Sequence, residues 1–310
     1  MALIQLSMGI PSYSAEAPSD WNHLTEWAQL LEQAGFDRLL VSEHVAFGMN
    51  MDAYADPRTG GTVGGRQPTG PDGHWLEPLT TLTYLAARTE RIRLGTNILL
   101  AALRPAAVLA KTLATMDVLS GGRIDVGVGV GWQREEYDTA GVDFDRRGAI
   151  LDQTLEVCQR FWRENEVSYH SSDLSFERIH QMPKPVQPGG IPLWVSGTVN
   201  RAVARRLARF GRGWIPWGPD ARDVAEGIRR MRAAVERAGG DPDGFGIAGT
   251  LRVQTSADGR PDLSAAAAEA ASLANAGVTD LRMTRWPLPD ANRDREMPAL
   301  VRAVRDAVGD

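Results

Sequence analysis

Short apolar runs alternate along the chain with longer segments in which apolar residues recur at helical spacing. Eight of the short runs have the length and composition of strands, and parallel strands buried on both faces give such continuous apolar runs. The predicted strands cover residues 3–9, 38–42, 92–98, 123–129, 193–196, 213–216, 247–254 and 279–283. Eight strands that alternate with helices predict an α/β fold, a (β/α)8 TIM barrel, as a single domain over residues 1–310.

Helix start and stop signals lie between the predicted strands. Pro105 stands where the first turn of a helix tolerates proline. The apolar residues Leu109, Leu113 and Met116 follow at helical spacing, and the glycines at 121–122 then end the helix. An open doubly wound sheet is the alternative, but such sheets usually carry a G-x-G-x-x-G turn after the first strand, and none follows it here. The pattern therefore favours the barrel.

Two segments interrupt the alternation, one after the second predicted strand and one after the fourth. Residues 45–75 are rich in Gly, Pro, Asp and Thr, and long loops without regular structure are usually functional. Because this loop follows a strand, we expect it over the carboxyl end of the barrel, either as a lid or as a passive insertion. Residues 163–190 contain two short β-type runs, at 168–170 and 174–176, that predict a small hairpin.

Composition narrows the possible functions. Hydrophobic residues make up 43% of the 310 residues and the net charge is −5, so no basic surface points to nucleic acid. Polar residues interrupt every apolar run before the length of a membrane span, and we expect a cytoplasmic protein. The single cysteine, Cys158, excludes an internal disulfide and is expected to be a packed helix residue. No two histidines have metal-ligand spacing, and no metal site is expected.

The ends of the predicted strands carry the candidate chemistry, because TIM barrels place reactive residues at the carboxyl ends of their strands. His44 directly follows the second strand and could exchange a proton or bond to a ligand; a structural histidine bonded to a loop carbonyl is the alternative. Gly129 and Gly131 allow a ring or a phosphate to approach the backbone, or simply fit a crowded interior. Trp132 and Glu135 follow them, and Glu135 could equally be an acid in the first turn of a helix.

The fifth predicted strand ends in Ser196, Gly197 and Thr198, and a helix begins a few residues later. Hydroxyl and backbone N–H groups at a helix N-terminus bind anions, so a cofactor phosphate would suit this position. The same residue types also serve as a plain helix cap, and the sequence does not separate the two possibilities.

Several separate stretches, in order, give the chain a family resemblance. The most specific segment is 91–162, with the stretches Leu94-Gly95-Thr96, Arg104-Pro105, Leu109-Ala110-Lys111, Leu119-Ser120-Gly121-Gly122-Arg123 and the run 127–132. With Glu43-His44 and the run 192–197, they resemble the luciferase-like monooxygenase superfamily and, within it, the deazaflavin-dependent oxidoreductases. The resemblance covers about two thirds of the chain.

The resemblance implies a homodimer of barrels and a cofactor ring over the end of the third strand. Members often have a non-proline cis peptide there, and the matching bond is Asn97-Ile98. It also implies that His44 lies near the reactive edge of the ring and that Ser196–Thr198 lies near the phosphate. Long insertions such as 45–75 are unusual in this family, so the position of the substrate cannot be transferred.

These observations predict an oxidoreductase that transfers a hydride between reduced coenzyme F420 and a small organic substrate. His44 is expected to move a proton, with Glu135 as a second acid. The residues expected to hold the cofactor are His44, Thr96, Asn97, Gly129, Gly131, Trp132, Ser196, Gly197 and Thr198, and those expected to contact the substrate are Trp132 and Trp217. One alternative is an FMN-dependent monooxygenase supplied by a separate reductase, and a more distant one is a barrel that binds a phosphorylated ligand without redox chemistry.

Overall fold

Parallel strands close into a barrel in the computed structural model, which describes residues 4–256, 259–286 and 292–309. The strands of these residues are β1 (Gln5–Gly9), β2 (Tyr13–Ser14), β3 (Arg38–Val41), β4 (His74–Trp75), β5 (Arg93–Leu99), β6 (Ile124–Val128), β7 (Val167–His170), β8 (Ser175–Ile179), β9 (Leu193–Gly197), β10 (Gly213–Pro216), β11 (Gly246–Thr250) and β12 (Asp280–Met283). The barrel order is β1-β3-β5-β6-β9-β10-β11-β12, and β12 pairs with β1. The predicted (β/α)8 barrel is confirmed.

Helices cover the outside of the barrel. They are α1 (Asn22–Ala34), α2 (Pro78–Ala86), α3 (Ala106–Ser120), α4 (Arg134–Thr139), α5 (Arg147–Arg163), α6 (Arg201–Phe210), α7 (Pro219–Arg222), α8 (Val224–Arg237), α9 (Leu263–Asn275) and α10 (Arg293–Val308). Gly121 ends α3 in the left-handed region at φ 68°, as the glycines there predict. Cys158 is fully buried on α5, and burial raises the pKa of its thiol. Within the described residues no helix has the length and apolar character needed to cross a bilayer.

The barrel strands lie where the apolar runs predict them, and most of their ends differ from the prediction by one or two residues at most. The first predicted strand starts at Leu3, which lies outside the described residues. The prediction that the seventh strand continues to residue 254 is wrong, because β11 ends at Thr250. Leu251 and Val253 beyond it pack against the core, so this part of the apolar run reflects burial rather than strand structure.

Both insertions take part in short antiparallel strand pairs. The predicted hairpin within 163–190 is confirmed, since β7 pairs with β8. In the 45–75 insertion, β4 pairs with β2, and the rings of Tyr13 and Trp75 stack with their centroids 4.4 Å apart. This pairing fixes the end of the insertion to the segment that follows the first barrel strand.

A network of buried charges crosses the interior of the barrel. Arg38 on β3 donates to Asp125 on β6 at 2.9 Å and to Asp280 on β12 at 2.7 Å, and its side chain is only 2% exposed. Arg93 also donates to Asp125, and Arg282 donates to Asp280. Since an isolated buried charge costs several kcal/mol, these groups are tolerated only because each has a partner. The network therefore links strands from opposite sides of the barrel.

We expect the Asp125→Asn variant to lose about 3–5 kcal/mol of unfolding free energy at pH 7, because it leaves Arg38 and Arg93 short of a buried counter-charge. Burial alone would raise the pKa of Asp125, but Arg38 and Arg93 outweigh it and hold the pKa below its usual range. The carboxylate therefore stabilises the fold fully above the unfolded-state pKa of about 3.9, and this contribution is lost as the pH falls through the folded-state value.

Urea denaturation of both proteins from pH 7 to pH 3 measures this difference, which should shrink toward the acid end. Asp56→Asn is the matched control, because Asp56 pairs with Arg58 on the surface and its loss should leave stability nearly unchanged. A difference that stays constant with pH would contradict the assignment of the stabilisation to the Asp125 charge.

Candidate active site at the carboxyl ends of the strands

A cleft of about 880 Å³ opens at the carboxyl ends of the barrel strands. Its walls come from the strand ends, the loops that follow them and the 45–75 insertion. Nine of the sequence-predicted site residues line it: His44, Asn97, Gly129, Gly131, Trp132, Ser196, Gly197, Thr198 and Trp217. One cavity therefore brings together residues that are far apart in the sequence, such as His44 and Trp217, which are 173 positions apart.

Two predicted residues do not line the cleft. Thr96 is buried beside it and donates its hydroxyl to the carbonyl of Gly127 at 2.8 Å. Successive side chains of a strand point to opposite faces, so only one of the neighbours Thr96 and Asn97 can face the cleft, and Asn97 does. Glu135 packs against Gly48, where an added Cβ would collide with the glutamate side chain. Its helical neighbour Glu136 faces the cleft instead.

His44 and Glu136 form a buried pair in the wall of the cleft. The His44 Nδ1 atom lies 3.2 Å from Glu136 Oε1, which is an ion-pair distance without the alignment of a full hydrogen bond. The same Oε1 accepts a hydrogen bond of 2.7 Å from the backbone N–H of Val45. Because Nδ1 faces the carboxylate, Nε2 is the ring nitrogen that remains for a ligand. Sequence reasoning missed Glu136, although its position next to Glu135 at the start of α4 was the available signal.

Aromatic rings surround the imidazole and continue along one side of the cleft. The His44 ring lies 4.3 Å from the ring of Phe47 and meets Trp75 edge-on at 4.8 Å. Farther along, Tyr54 lies 5.3 Å from Trp132 and 6.2 Å from Trp217. Trp132 is 6% exposed, and its Nε1 atom has no hydrogen-bond partner within the described residues. This wall is apolar apart from a few donors, as is typical of ligand sites.

The floor of the cleft is built at the end of β5. The Asn97–Ile98 peptide bond is cis, as the resemblance implies. A Cβ atom on Gly129 would lie 2.7 Å from Ile98 Cδ1, so glycine at this position lets the Ile98 side chain pack against the end of β6. From below, Arg282 Nη1 donates to Asn97 Oδ1 at 3.3 Å, which joins the floor to the buried charge network.

Glu43 fixes the chain where it leaves this floor. Its carboxylate accepts from the backbone N–H of Leu100 and from Arg104, each at 2.5 Å. Burial raises the pKa of Glu43 in spite of the opposing charge of Arg104. Glu43 therefore acts as a support for the β5 end rather than as a free acid in the cleft.

The end of β9 turns directly into α6 and leaves polar groups facing the cleft. Asn200, not Ser196 or Thr198, caps α6, because its side chain accepts from the N–H of Val203 at 2.9 Å. Gly197 has φ +148°, and a Cβ there would lie 2.8 Å from Val203 Cγ2. Of the two possibilities for Ser196–Thr198, the plain helix cap is therefore wrong. The two hydroxyl side chains line the cleft.

The cleft is rich in arginine although the whole chain carries a charge of −5. The arginines in its lining are Arg58, Arg147, Arg206, Arg222, Arg282 and Arg285. Among the described lining residues the carboxylates are Glu43 and Glu136, and they pair with Arg104 and His44. Three of the arginines pair with carboxylates outside the lining: Arg58 with Asp56, Arg206 with Asp152 and Arg282 with Asp280. The positive charge of the other three favours an anionic ligand.

The 45–75 insertion forms part of the cleft wall. Trp217 Nε1 donates to the carbonyls of Gly60 and Gly61 at 3.1 and 3.2 Å, and Arg147 donates to the carbonyl of Thr59 at 3.1 Å. Gly60, at φ +109°, lies so close to Gly131 that a Cβ would be 2.8 Å from its carbonyl oxygen. The insertion is thus held against the ends of β6 and β10, in the position expected of a lid.

A sequence profile described as luciferase-like monooxygenase matches residues 2–300. The chain belongs to this family. An uncharacterised protein of Mycobacterium tuberculosis is 34% identical over 217 residues, which cover 69% of this chain and 74% of that protein. An F420-dependent glucose-6-phosphate dehydrogenase of Amycolatopsis mediterranei is 28% identical over 196 residues, covering 62% of this chain and 52% of the dehydrogenase.

Solved structures confirm the fold of this family member. An F420-dependent secondary alcohol dehydrogenase in complex with an F420–acetone adduct superposes with a TM-score of 0.75 at 16% identity, covering 98% of this chain and 100% of the other. Riboflavin lyase with modified FMN also superposes with a TM-score of 0.75, at 14% sequence identity, and the superposition covers 99% of this chain and 96% of the lyase. The relatives of this chain within the luciferase-like monooxygenase family therefore include an F420-dependent dehydrogenase.

The Trp217→Phe variant keeps an aromatic side chain but removes the indole N–H, and with it the hydrogen bonds to the carbonyls of Gly60 and Gly61. Because one hydrogen bond contributes about 1 kcal/mol, amide hydrogen exchange across residues 54–62 should accelerate about five-fold. Trp21→Phe, on α1's N-terminal side, is the control and should leave these amides unchanged. Unaltered exchange in Trp217→Phe would show that the indole does not hold the insertion.

Proposed function

We propose that the chain is an F420-dependent oxidoreductase that transfers a hydride between reduced coenzyme F420 and a small organic substrate. The observation that carries the proposal is the His44–Glu136 pair, which presents one imidazole nitrogen to the cleft at the carboxyl ends of the strands. A group able to move a proton therefore stands in the wall of a cavity of about 880 Å³.

The residues of the cleft fit such a cofactor. Asn97, Ile98 and Gly129 line the cleft at the ends of β5 and β6, where the ring of the cofactor would lie. The hydroxyls of Ser196 and Thr198, which do not cap α6, and the arginines of the lining suit a phosphate. The deazaflavin would supply the hydride chemistry, and the barrel would supply position and electrostatics.

His44 would exchange a proton with the oxygen of the substrate through Nε2. Glu136 is completely buried, and its Oε1 atom lies 3.2 Å from the Nδ1 atom of His44. The same carboxylate holds the ring in one orientation, since Oε1 is itself fixed by Val45. Tyr54, Trp132 and Trp217 would exclude water from this region and contact the apolar part of the substrate.

An FMN-dependent monooxygenase is the second candidate, because the family profile that matches residues 2–300 is described as luciferase-like monooxygenase. FMN has a comparable ring and phosphate, so the floor and the Ser196–Thr198 loop suit both cofactors. The two functions differ in oxygen use, since only the monooxygenase requires reduced flavin and oxygen.

Titration of the purified chain with F420 and FMN, each oxidised and reduced, tests the choice of cofactor. We expect F420 to bind more tightly than FMN in at least one redox state, and no oxygen consumption with reduced FMN. FMN affinity equal to or above that of F420, together with oxygen consumption, would favour the monooxygenase. Binding of phosphorylated ligands without turnover with either cofactor would favour the non-redox alternative.

The His44→Asn variant tests the role in proton transfer. Asparagine keeps hydrogen-bonding capacity but does not titrate, and we expect kcat to fall about 10²–10⁴-fold while the affinity for the cofactor changes little. His180→Asn is the matched control, because His180 is exposed on the second insertion and should have no effect. Wild-type turnover in His44→Asn would rule out the proposed proton transfer.

A further inference from the structure

A second concave surface lies next to the cleft, between α6 and α8. This groove has a volume of about 820 Å³, and its lining includes five arginines and three alanines. The arginines are Arg201, Arg205, Arg229, Arg230 and Arg237. Among the described lining residues none is acidic. In a chain of net charge −5, this concentration of positive charge on one face favours an anionic partner.

Neighbouring carboxylates satisfy only part of this charge. Arg229 pairs with Glu226, and Arg230 lies 3.1 Å from Asp220. Arg201, Arg205 and Arg237 are exposed and form no ion pair within the described residues. Arg201 and Arg205 are one helical turn apart on α6, so both guanidinium groups lie on the same face. These three side chains are therefore available to an anionic ligand.

The groove adjoins the phosphate end proposed for the cleft. Asn200 lines both the groove and the cleft, and Val199 lines the groove directly after Thr198. A ligand whose phosphate lies at Ser196–Thr198 could thus continue past Asn200 onto the arginines. Small alanine side chains between the arginines, at positions 233, 234 and 238, leave the groove open for an extended chain.

We infer that this arginine groove binds a chain of carboxylates that continues from the phosphate of the ligand in the cleft. The inference rests on the proposed function, because coenzyme F420 carries an oligoglutamate chain beyond its phosphate whereas FMN ends at its phosphate. Several exposed guanidinium groups in a row suit such a chain, since each carboxylate can meet a new arginine. The groove would then help the protein to distinguish the two cofactors.

The test compares four probes: F420 with several glutamates, F420 without glutamates, FMN and a hexaglutamate peptide. The groove variant is Arg201→Gln/Arg205→Gln/Arg237→Gln in the full chain. The control variant, Arg88→Gln/Arg91→Gln/Arg302→Gln, removes the same charge from exposed arginines outside the groove and the cleft. Thermal unfolding of both variants checks that they fold, and fluorescence or calorimetric titration gives the dissociation constants.

We expect the wild-type chain to bind glutamylated F420 about ten-fold more tightly than the form without glutamates at low salt, because each exposed charge pair contributes up to about five-fold. The groove variant should lose this difference and bind the shorter form and FMN as the wild type does. Added salt should reduce the wild-type preference, since exposed charges are screened. The control variant should behave as the wild type.

The inference would be overturned if the groove variant still preferred glutamylated F420, or if the control variant lost this preference equally. Either result would leave the proposed F420 dependence intact. If no form of F420 binds, the proposed function fails. Titration with the hexaglutamate peptide then shows whether the groove still binds a chain of carboxylates. Peptide binding to the wild type that the groove variant loses supports a polycarboxylate site. Absence of peptide binding to the wild type at low salt overturns it.

Discussion

The pairing of Arg38 with two carboxylates inside the barrel is the constraint on which the rest of the structure depends. Arg38 on β3 reaches Asp125 on β6 and Asp280 on β12, so one side chain joins three strands across the barrel interior. A charge at this depth is stable only with its partners in place, which makes any shift of these strands costly. Arg282 extends the same network upward to Asn97, and the floor of the cleft is thereby tied to the closure of the barrel.

The sequence was sufficient for the architecture because strand and helix periods are local properties. Continuous apolar runs located the barrel strands, and the rule that reactive groups lie at strand carboxyl ends selected residues that meet in one cleft. The same local reasoning failed where one position decides the outcome. Thr96 and Asn97 are neighbours on a strand, but only the side chain of Asn97 lines the cleft. Glu135 and Glu136 are likewise neighbours on a helix, and only Glu136 lines it. The direction of each side chain decides which residue belongs to the site.

Contacts between distant segments could not be predicted. Tyr54, Arg282 and the carbonyls of Gly60 and Gly61 take part in the site only because of how loops and strands meet in space. The cap of α6 was within reach of local reasoning, because Asn200 is a preferred N-cap residue and directly precedes Arg201, the first residue of the helix. A charge pattern on two helices becomes a groove only when α6 packs against α8.

The two anchors of the 45–75 insertion have a consequence for the evolution of this protein. β4 holds one end against β2, and Trp217 holds Gly60 and Gly61, so residues 62–73 form a span between fixed points. Changes in the length or composition of this span alter the roof of the cavity while the anchors and the end of β5 stay the same. New substrates can therefore be sampled through this one segment, with the machinery below inherited unchanged.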